Sequence, residues 1–157
     1  MFERFTISAA QAIELSIKEA HGLGHNAITP EMLLLGLLAE RHGLAGVALR
    51  ERGISLATVE QQVIELLGRG NDEETEEPPF SDAAQAVLEL AWDENRLDHD
   101  EPIGTHHLLR GLLRRQDKNV TRLLGLDSPE LSDLKSKLRK EANRDANDIK
   151  LITVNLG

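Results

Sequence analysis

The sequence predicts an all-α protein made of two pseudo-symmetric four-helix repeats that pack as one domain. The first observation is an internal repeat: Ile28–Leu38 reads ITPEMLLLGLL, and Ile103–Leu113, 75 residues later, reads IGTHHLLRGLL. The second is the composition. With three Phe, one Trp and no Tyr, the core must be aliphatic and mostly leucine, and the scarcity of aromatic residues disfavours a β-sheet. The third is that apolar residues recur at helical spacing through both copies.

The first two helices have clear start and stop signals. The first helix is expected to begin near Thr6 or Ser8, with Ser8 opening a capping box, and to stop at Gly22. The second is expected to begin with Thr29 as its N-cap and Pro30 as its first helical residue.

Two further helices complete the first repeat. The second helix is expected to end at Gly43, and a short third helix follows from Leu44 to Arg52. A fourth helix is capped by Ser55 and stopped by Gly68. The second repeat follows the same order, and its last long helix is expected to start at Ser128 and run to about residue 142.

A glycine lies inside the second helix of each repeat, Gly36 in the first and Gly111 in the second. Glycine in a helix interior costs about 1 kcal/mol relative to alanine. Because both copies keep it, we expect another backbone to approach closely at these positions.

The net charge of −9 is unevenly distributed. Residues 1–70 carry −2, residues 71–79 carry −5, and residues 80–157 carry −2. The acidic middle segment, which ends in a double proline, is predicted to be a solvated linker. Because the two halves are nearly neutral, we expect no nucleic-acid partner. The tail, residues 143–157, is predicted either to dock as an extended strand or to be partly disordered.

Several functional classes have no support in the sequence. No cysteine is present, which removes thiol chemistry and disulfides. The longest apolar run, Met32–Leu35, is far too short to span a bilayer, and the N-terminus has no signal-peptide pattern. We therefore expect a protein of the cytoplasm or of an organelle matrix, with no membrane partner.

Short motifs connect the chain to a known family. They are Phe2–Thr6, Leu23–Asn26, Gly53–Leu56, Gly68–Gly70 and the two Leu-Leu-x-Gly-Leu-Leu segments. In order, spacing and duplication they resemble the double Clp N-terminal repeat (Clp-N) domain of ClpC-type AAA+ unfoldases, over about residues 1–142. The resemblance implies one Clp-N repeat over residues 1–70 and a second over residues 80–142.

The resemblance also implies a function. The chain has no Gly-x-x-x-x-Gly-Lys-Ser/Thr phosphate loop, so we expect a free-standing Clp-N protein that is not an enzyme and needs no cofactor. It would be an accessory or adaptor-like protein that binds the Clp protease core or a Clp unfoldase and modulates assembly or substrate delivery. The alternative is the substrate-receptor domain of a ClpC-type ATPase, which binds degrons or phosphoarginine-tagged proteins. An organellar form would belong to the plastid stroma.

The resemblance places the candidate ligand residues at the starts of the second helices. ClpC-type repeats begin this helix with Gly-Thr-Glu-His, and the Thr and Glu bind phosphorylated arginine. Here the copies read Thr29-Pro-Glu31-Met and Gly-Thr105-His106-His, so each has lost one half of the pair. We expect Glu31 and Thr105 to face each other across the pseudo-twofold axis, or to serve only as helix-start residues.

A basic series is the second candidate site. Arg110, Arg114, Lys118 and Arg122 are spaced by four residues, which would place them on one helix face if the helix did not break near Lys118. Such a face is either solvated or a docking surface for an acidic partner, and the acidic linker is one possible occupant. Basic residues between 135 and 140 would extend it.

Metal binding and catalysis are not expected. Adjacent histidines such as His106 and His107 point about 100° apart on a helix and rarely chelate one ion together. The carboxylates Asp93, Glu94 and Asp98 are expected to be exposed helix and turn charges. No nucleophile with a supporting base is present.

Overall fold

The prediction of an all-α fold with two four-helix repeats is confirmed. A computed structural model describes residues 4–71, 77–98 and 102–140. Most of the acidic linker and the whole C-terminal tail lie outside these residues. The helices are α1 (Ile7–Gly22), α2 (Pro30–Ala39), α3 (Leu44–Glu51), α4 (Leu56–Leu67), α5 (Asp82–Leu97), α6 (Thr105–Arg115) and α7 (Lys118–Leu124), followed by α8, which is described over residues 128–140.

Equivalent helices begin with equivalent caps. The Ala9 N–H donates to the Thr6 hydroxyl (3.0 Å), and the Ala84 N–H donates to the Ser81 hydroxyl (3.1 Å). The capping box predicted at Ser8 is therefore wrong, because the Thr6 hydroxyl accepts the first-turn N–H of α1 and Ser8 lies inside the helix.

Two other predicted boundaries differ from the structure. Gly43 does not end the second helix, which already stops at Ala39; Gly43 is the N-cap of α3. The eighth helix is capped by Asp127 rather than Ser128. Asp127 accepts from the Glu130 N–H (2.8 Å), and Glu130 accepts from the Asp127 N–H (3.1 Å).

The two repeats exchange their first extended residues. Phe5 pairs with Ile103 in an isolated parallel bridge, and Phe80 pairs with Ile28 in the equivalent one. Around these bridges the Thr6 N–H donates to the Ile103 carbonyl and the Ser81 N–H donates to the Ile28 carbonyl, each at 2.9 Å. Each repeat therefore supplies the residue that completes the other, and this reciprocity is the pseudo-twofold relation that the 75-residue offset predicts.

The second helices form the centre of the core. The nine residues Pro30–Leu38 in α2 and the nine residues Thr105–Leu113 in α6 are all buried. A Cβ on Gly111 would lie 2.7 Å from the Val87 carbonyl oxygen and 2.9 Å from the Ala91 nitrogen, both in α5. Gly36 meets the equivalent backbone of α1. The close approach predicted at both glycines is confirmed.

Within the described ranges, no single helix is long and apolar enough to cross a membrane. The pair α2 and α3, bent by 88°, reaches that threshold only when the two helices are counted together, and only by length and composition.

A carboxyl pair joins α1 to α4. Burial, together with the side-chain bond to Glu60 and its charge, raises the pKa of Glu19 to about 7. A carboxyl whose pKa is raised in the fold stabilises the protein fully below its unfolded value of 4.5, and this contribution is lost as the pH rises through 7.

We expect Glu19→Gln to raise the free energy of unfolding by about 1 kcal/mol at pH 8, a modest value because the pair is half-exposed and screened. At pH 4 the variant and the parent should have equal stability. Urea denaturation at both pH values measures the difference, and an equal gain at pH 4 would show that the effect does not arise from the Glu19 charge.

Candidate partner-binding sites

Glu31 lies at the junction between the start of α2 and the start of α7. It is 5% exposed, and burial and the charge of Asp117 raise its pKa, whereas His25 opposes the rise. Asp117 is the N-cap of α7, where its carboxylate accepts from the Asn119 N–H (3.0 Å) and the Val120 N–H (3.2 Å). The charge of a second carboxylate, Asp117, therefore acts on Glu31 where the family motif predicts a binding position. Thr29, the N-cap of α2, makes no side-chain cap bond.

Thr105 lies at the equivalent junction between α6 and α3. It is 1% exposed, and its hydroxyl accepts from the Ala45 N–H in the first turn of α3 (3.2 Å). The preceding N–H groups are bonded by Glu40, whose carboxylate accepts from His42 (2.8 Å) and Gly43 (2.6 Å). Glu40 was missed in the sequence, where it is only an acid four residues before the predicted helix start at Leu44.

The structure places the two positions at different helix junctions, and the expected single cleft between them stays a prediction. Glu31 belongs to the α2–α7 junction and Thr105 to the α3–α6 junction, as the exchange of halves between the repeats requires. An anion is bound at a helix N-terminus through unbonded N–H groups. In α3 and α7 those groups already bond Glu40, Thr105 and Asp117 of the same chain.

Arg110 is the centre of a buried ionic cluster and not part of an exposed face. Its side chain is 3% exposed. One guanidinium nitrogen donates to Glu94 Oε2 and the other to Asp98 Oδ2, each at 2.6 Å. Glu94 is 4% exposed, so the expectation that it is an exposed helix charge is wrong. These two charge-assisted hydrogen bonds, one to each carboxylate, compensate the cost of burying the charges.

His107 completes this cluster at the start of α6. The Gly104 N–H donates to its Nδ1 (3.0 Å), and its Nε2 lies 2.9 Å from Asp98 Oδ2. An acceptor Nδ1 places the ring proton on Nε2, which then donates to Asp98. Burial, aided by the charge of His106, lowers the pKa of His107 to about 4, although Asp98 opposes the shift.

Asp98 is held in its charged form by the same contacts. Burial is the largest single influence and raises its pKa, but the bond and charge of Arg110, together with the bond from His107, lower it overall. The cluster therefore ties the C-terminal end of α5 to α6 through a neutral imidazole and a charged guanidinium.

We expect nitrogen-detected NMR to show His107 as the Nε2–H tautomer at pH 7, with protonation only near pH 4. A histidine whose pKa is lowered in the fold contributes stability above its unfolded value of 6.5, and this contribution is lost as the pH falls from 6.5 toward 4. Exposed His42 is the internal reference. A His107 midpoint near 6.5 would contradict the arrangement.

Asp98, His106 and His107 also approach one another closely enough to be tested as a metal site, with their ligand atoms within 4.8 Å. The two histidine rings are 4.0 Å apart, so the expectation that they point apart is wrong. A metal on His107 Nε2 would need the ring proton on Nδ1, where the Gly104 N–H already donates. Arg110 also occupies Asp98. The donor set does not fit a metal, and we assign none.

The predicted basic series is interrupted after its second member. α6 ends at Arg115, Gln116 has a left-handed backbone (φ 58°), and Asp117 starts α7. Arg114 is half-exposed, 3.9 Å from Asp93, while Lys118 and Arg122 are exposed on the next helix. The break near Lys118 is confirmed, and a continuous four-residue face is not formed. Lys137, expected to extend the patch, bonds Glu51 of α3.

An apolar groove lies on the outer face of α5, and sequence reasoning missed it. It has a volume of about 720 Å³ and is lined chiefly by Phe80, Leu88 and Trp92. Trp92 also meets the Phe5 ring at 6.5 Å and lies under the Arg4 guanidinium at 5.6 Å. The only tryptophan of the chain is thus fixed at the edge of a concave surface, and its position at helical spacing from Leu88 was the available signal.

Two four-helix units that complete each other through exchanged N-terminal residues define a duplicated all-α repeat domain. The profile of the Clp repeat (R) N-terminal domain matches residues 4–126. The chain belongs to this family.

The similar curated proteins are subunits of Clp ATPases. The ATP-dependent Clp protease ATP-binding subunit ClpA homolog of Cyanidium caldarium is 42% identical over 134 residues, which cover 83% of this chain and 16% of that protein. The chloroplastic chaperone protein ClpC1 of Arabidopsis thaliana is 38% identical over 157 residues, which cover 100% of this chain and 16% of that protein. The chain spans less than a fifth of the length of these relatives.

Solved structures show the same fold. The N-terminal domain of the caseinolytic protease associated chaperone ClpD from Arabidopsis thaliana has a TM-score of 0.74 at 28% identity, covering 91% of this chain and 97% of that one. The N-domain of ClpV from Vibrio cholerae has a TM-score of 0.69 at 18% identity, covering 94% and 87%. At that identity the second likeness speaks for the fold alone.

Proposed function

We propose that this protein is a non-catalytic, protein-binding module of the Clp chaperone–protease system. It would act as an accessory or adaptor-like partner of the Clp protease core or of a Clp unfoldase, and modulate assembly or substrate delivery. The observation that carries the proposal is the apolar groove with Trp92 at its edge, on the outer face of a Clp repeat domain. Concave apolar surfaces with an aromatic anchor are typical of protein recognition.

Two further features support a binding role rather than catalysis. Arg110 bonds Glu94 and Asp98, and His107 bonds the same Asp98, so these titratable groups serve the fold and not a reacting substrate. The relatives carry the names of ATP-binding Clp subunits, and the matched part is a small fraction of their length. The chloroplastic names of several relatives favour the plastid stroma as the location, with the cytoplasm as the alternative.

The test is direct binding to purified components. The full chain is immobilised, and a ClpC-type ATPase and the Clp protease core are passed over it separately, with degradation of a model substrate measured in parallel. We expect binding to at least one component and a change in degradation rate. Absence of both at tens of micromolar component would overturn the proposal.

A matched pair of variants tests the groove. Gln85→Arg with Glu89→Arg places two cations on exposed groove positions and should weaken binding about tenfold or more by placing charge at a desolvated contact. The control, Gln61→Arg with Glu65→Arg, makes the same charge change on exposed positions of α4 and should leave binding unchanged.

The second candidate function is a substrate receptor that acts within a ClpC-type ATPase. It is favoured by the retention of Glu31 at the start of α2, the position where the family pattern has its ligand carboxylate. Calorimetric titration with a phosphoarginine peptide distinguishes it. Heat that disappears in Glu31→Gln would support this candidate, and no heat would remove it.

A further inference from the structure

A second concave surface lies between α5, α6 and α8, on a part of the molecule that the proposed function does not use. Its volume is about 310 Å³. It is lined by Glu94, Leu97, Arg110, Arg114, Lys135 and Arg139. We call this surface the basic groove.

The floor of the basic groove is a buried ionic cluster in which Arg110 is shared between Glu94 and Asp98. Glu94 and Arg110 are both buried and bonded to each other at 2.6 Å, and Arg110 also bonds Asp98 at 2.6 Å. Arg139, on α8, reaches across to within 3.9 Å of the same Glu94 carboxylate. The Arg139 side chain is 63% exposed and its contact with Glu94 is long, so its guanidinium remains accessible to a ligand.

The rim is strongly positive. Arg114, Lys135 and Arg139 are exposed; Arg114 lies 3.9 Å from Asp93 and Arg139 lies 3.9 Å from Glu94. Within the described part of the chain, Lys135 makes no ion pair. Two acids, Asp93 and Glu94, thus lie at this long distance from the rim cations, and the three cations form a positive patch on a chain whose net charge is −9. This charge attracts anionic groups, and the concave shape concentrates its field.

An exposed leucine stands beside these cations. Leu97, at the end of α5, is 65% exposed, the highest exposure among the large apolar residues of the described chain. An apolar contact surrounded by cations fits a peptide that carries an apolar side chain among carboxylates.

We propose that the basic groove binds an acidic segment of a partner protein, with an apolar side chain of that segment seated on Leu97. The other occupants fit less well. Single-stranded nucleic acid needs aromatic stacking platforms, and no aromatic residue lines the groove. The acidic linker of the same chain fits less well because of its distance. Its acid Glu77 precedes Ser81, the cap of α5, and Glu94 in the groove lies roughly 20 Å further along that helix.

The proposal deepens the proposed function by naming a surface and a class of partner. The two can fail separately, because the measurement below uses a peptide and no Clp component. If the protein binds Clp components but no acidic peptide, only the proposal about the basic groove is overturned.

The probe is a fluorescein-labelled octapeptide of alternating Asp and Glu with a central Leu-Phe pair. Its binding to the full chain is measured by fluorescence anisotropy at low and at 0.5 M salt. We expect binding that weakens steeply with salt. Arg114→Gln with Lys135→Gln and Arg139→Gln should weaken it about tenfold or more, and Leu97→Ser about threefold or more.

The matched control is Arg115→Gln with Lys118→Gln and Arg122→Gln, which removes the same charge from exposed positions outside the groove. It should change the affinity less than twofold. Three outcomes would overturn the proposal: equal weakening by the control, equal binding of the Asn/Gln version of the peptide, or no binding at 0.5 mM peptide. A thymidine octanucleotide that binds as tightly, with the same sensitivity to the groove variant, would also overturn it.

Discussion

Arg110→Ala is expected to lower the free energy of unfolding by about 3–5 kcal/mol, because it leaves the buried Glu94 carboxylate without its partner. Asp98 loses its 2.6 Å bond to the same guanidinium. Removing one member of a buried pair is costly since the remaining charge keeps its desolvation penalty. Urea denaturation at pH 7 measures the loss.

Two controls separate the buried pair from a general loss of charge. Arg115→Ala, on the exposed end of the same helix, should stay within about 0.5 kcal/mol of the parent. Combining Arg110→Leu with Glu94→Gln should recover a large part of the stability, because the buried Glu94 charge is removed with its partner. The remaining carboxylate, Asp98, is part-exposed and keeps its bond to His107. If the double variant is as unstable as Arg110→Ala, the cost lies in packing rather than in the charge.

The pH dependence gives an independent signature of this cluster. The pKa of Asp98 is lowered in the fold, so its contribution is present above the unfolded value of 3.8 and is lost as the pH falls below it. Arg110 is a main cause of that lowering. The stability of Arg110→Ala should therefore fall less steeply than that of the parent below pH 4.

Gly111→Ala is expected to destabilise the protein by about 1–3 kcal/mol, and Gly36→Ala by more. Alanine gains about 1 kcal/mol in helix propensity, but its methyl group must overlap the neighbouring helix. At Gly111 the Cβ would lie 2.7 Å from the Val87 carbonyl oxygen. At Gly36 it would lie 2.9 Å from the Ser16 nitrogen and closer still to the Ala12 carbonyl oxygen.

Gly22 is the matched control, because a Cβ there meets nothing within 4 Å. Gly22→Ala, in the last turn of α1, should raise stability slightly, by up to about 1 kcal/mol. Thermal unfolding of the three variants in one buffer tests the comparison. A stabilised Gly111→Ala would show that α5 and α6 can separate at no cost. If Gly36→Ala does not fold, Gly111→Ala still decides the question.

Local patterns in the chain were sufficient for the helices and for the duplication. The Thr-Pro start of α2, the serine cap of α4 and the glycines inside α2 and α6 each depend on residues a few positions apart. The errors also have local reasons. Ser8 has the spacing of a capping box, but Thr6, two residues earlier, satisfies the first turn of α1 and fixes its start.

The candidate sites were less predictable, because charge and burial are decided by partners far along the chain. Arg110 matches the spacing of an exposed basic face. Its carboxylate partners Glu94 and Asp98 lie at the end of another helix, and the guanidinium is buried where it pairs with them. Thr105 was expected either to contact a ligand or to serve only as a helix-start residue, and its bond from the Ala45 N–H, sixty residues away, could not be read from the sequence.

The sequence by itself determined the all-α class, the two repeats and a close backbone approach at Gly36 and Gly111, because a 75-residue offset and helical periodicity can be read without knowing how helices pack. Only the tertiary structure decided which repeat completes which. The bridges Phe5–Ile103 and Phe80–Ile28 cross between the copies, so Glu31 and Thr105 lie at separate junctions. The physical reason is that an offset fixes which positions are equivalent, whereas hydrogen bonds between distant segments decide which positions meet.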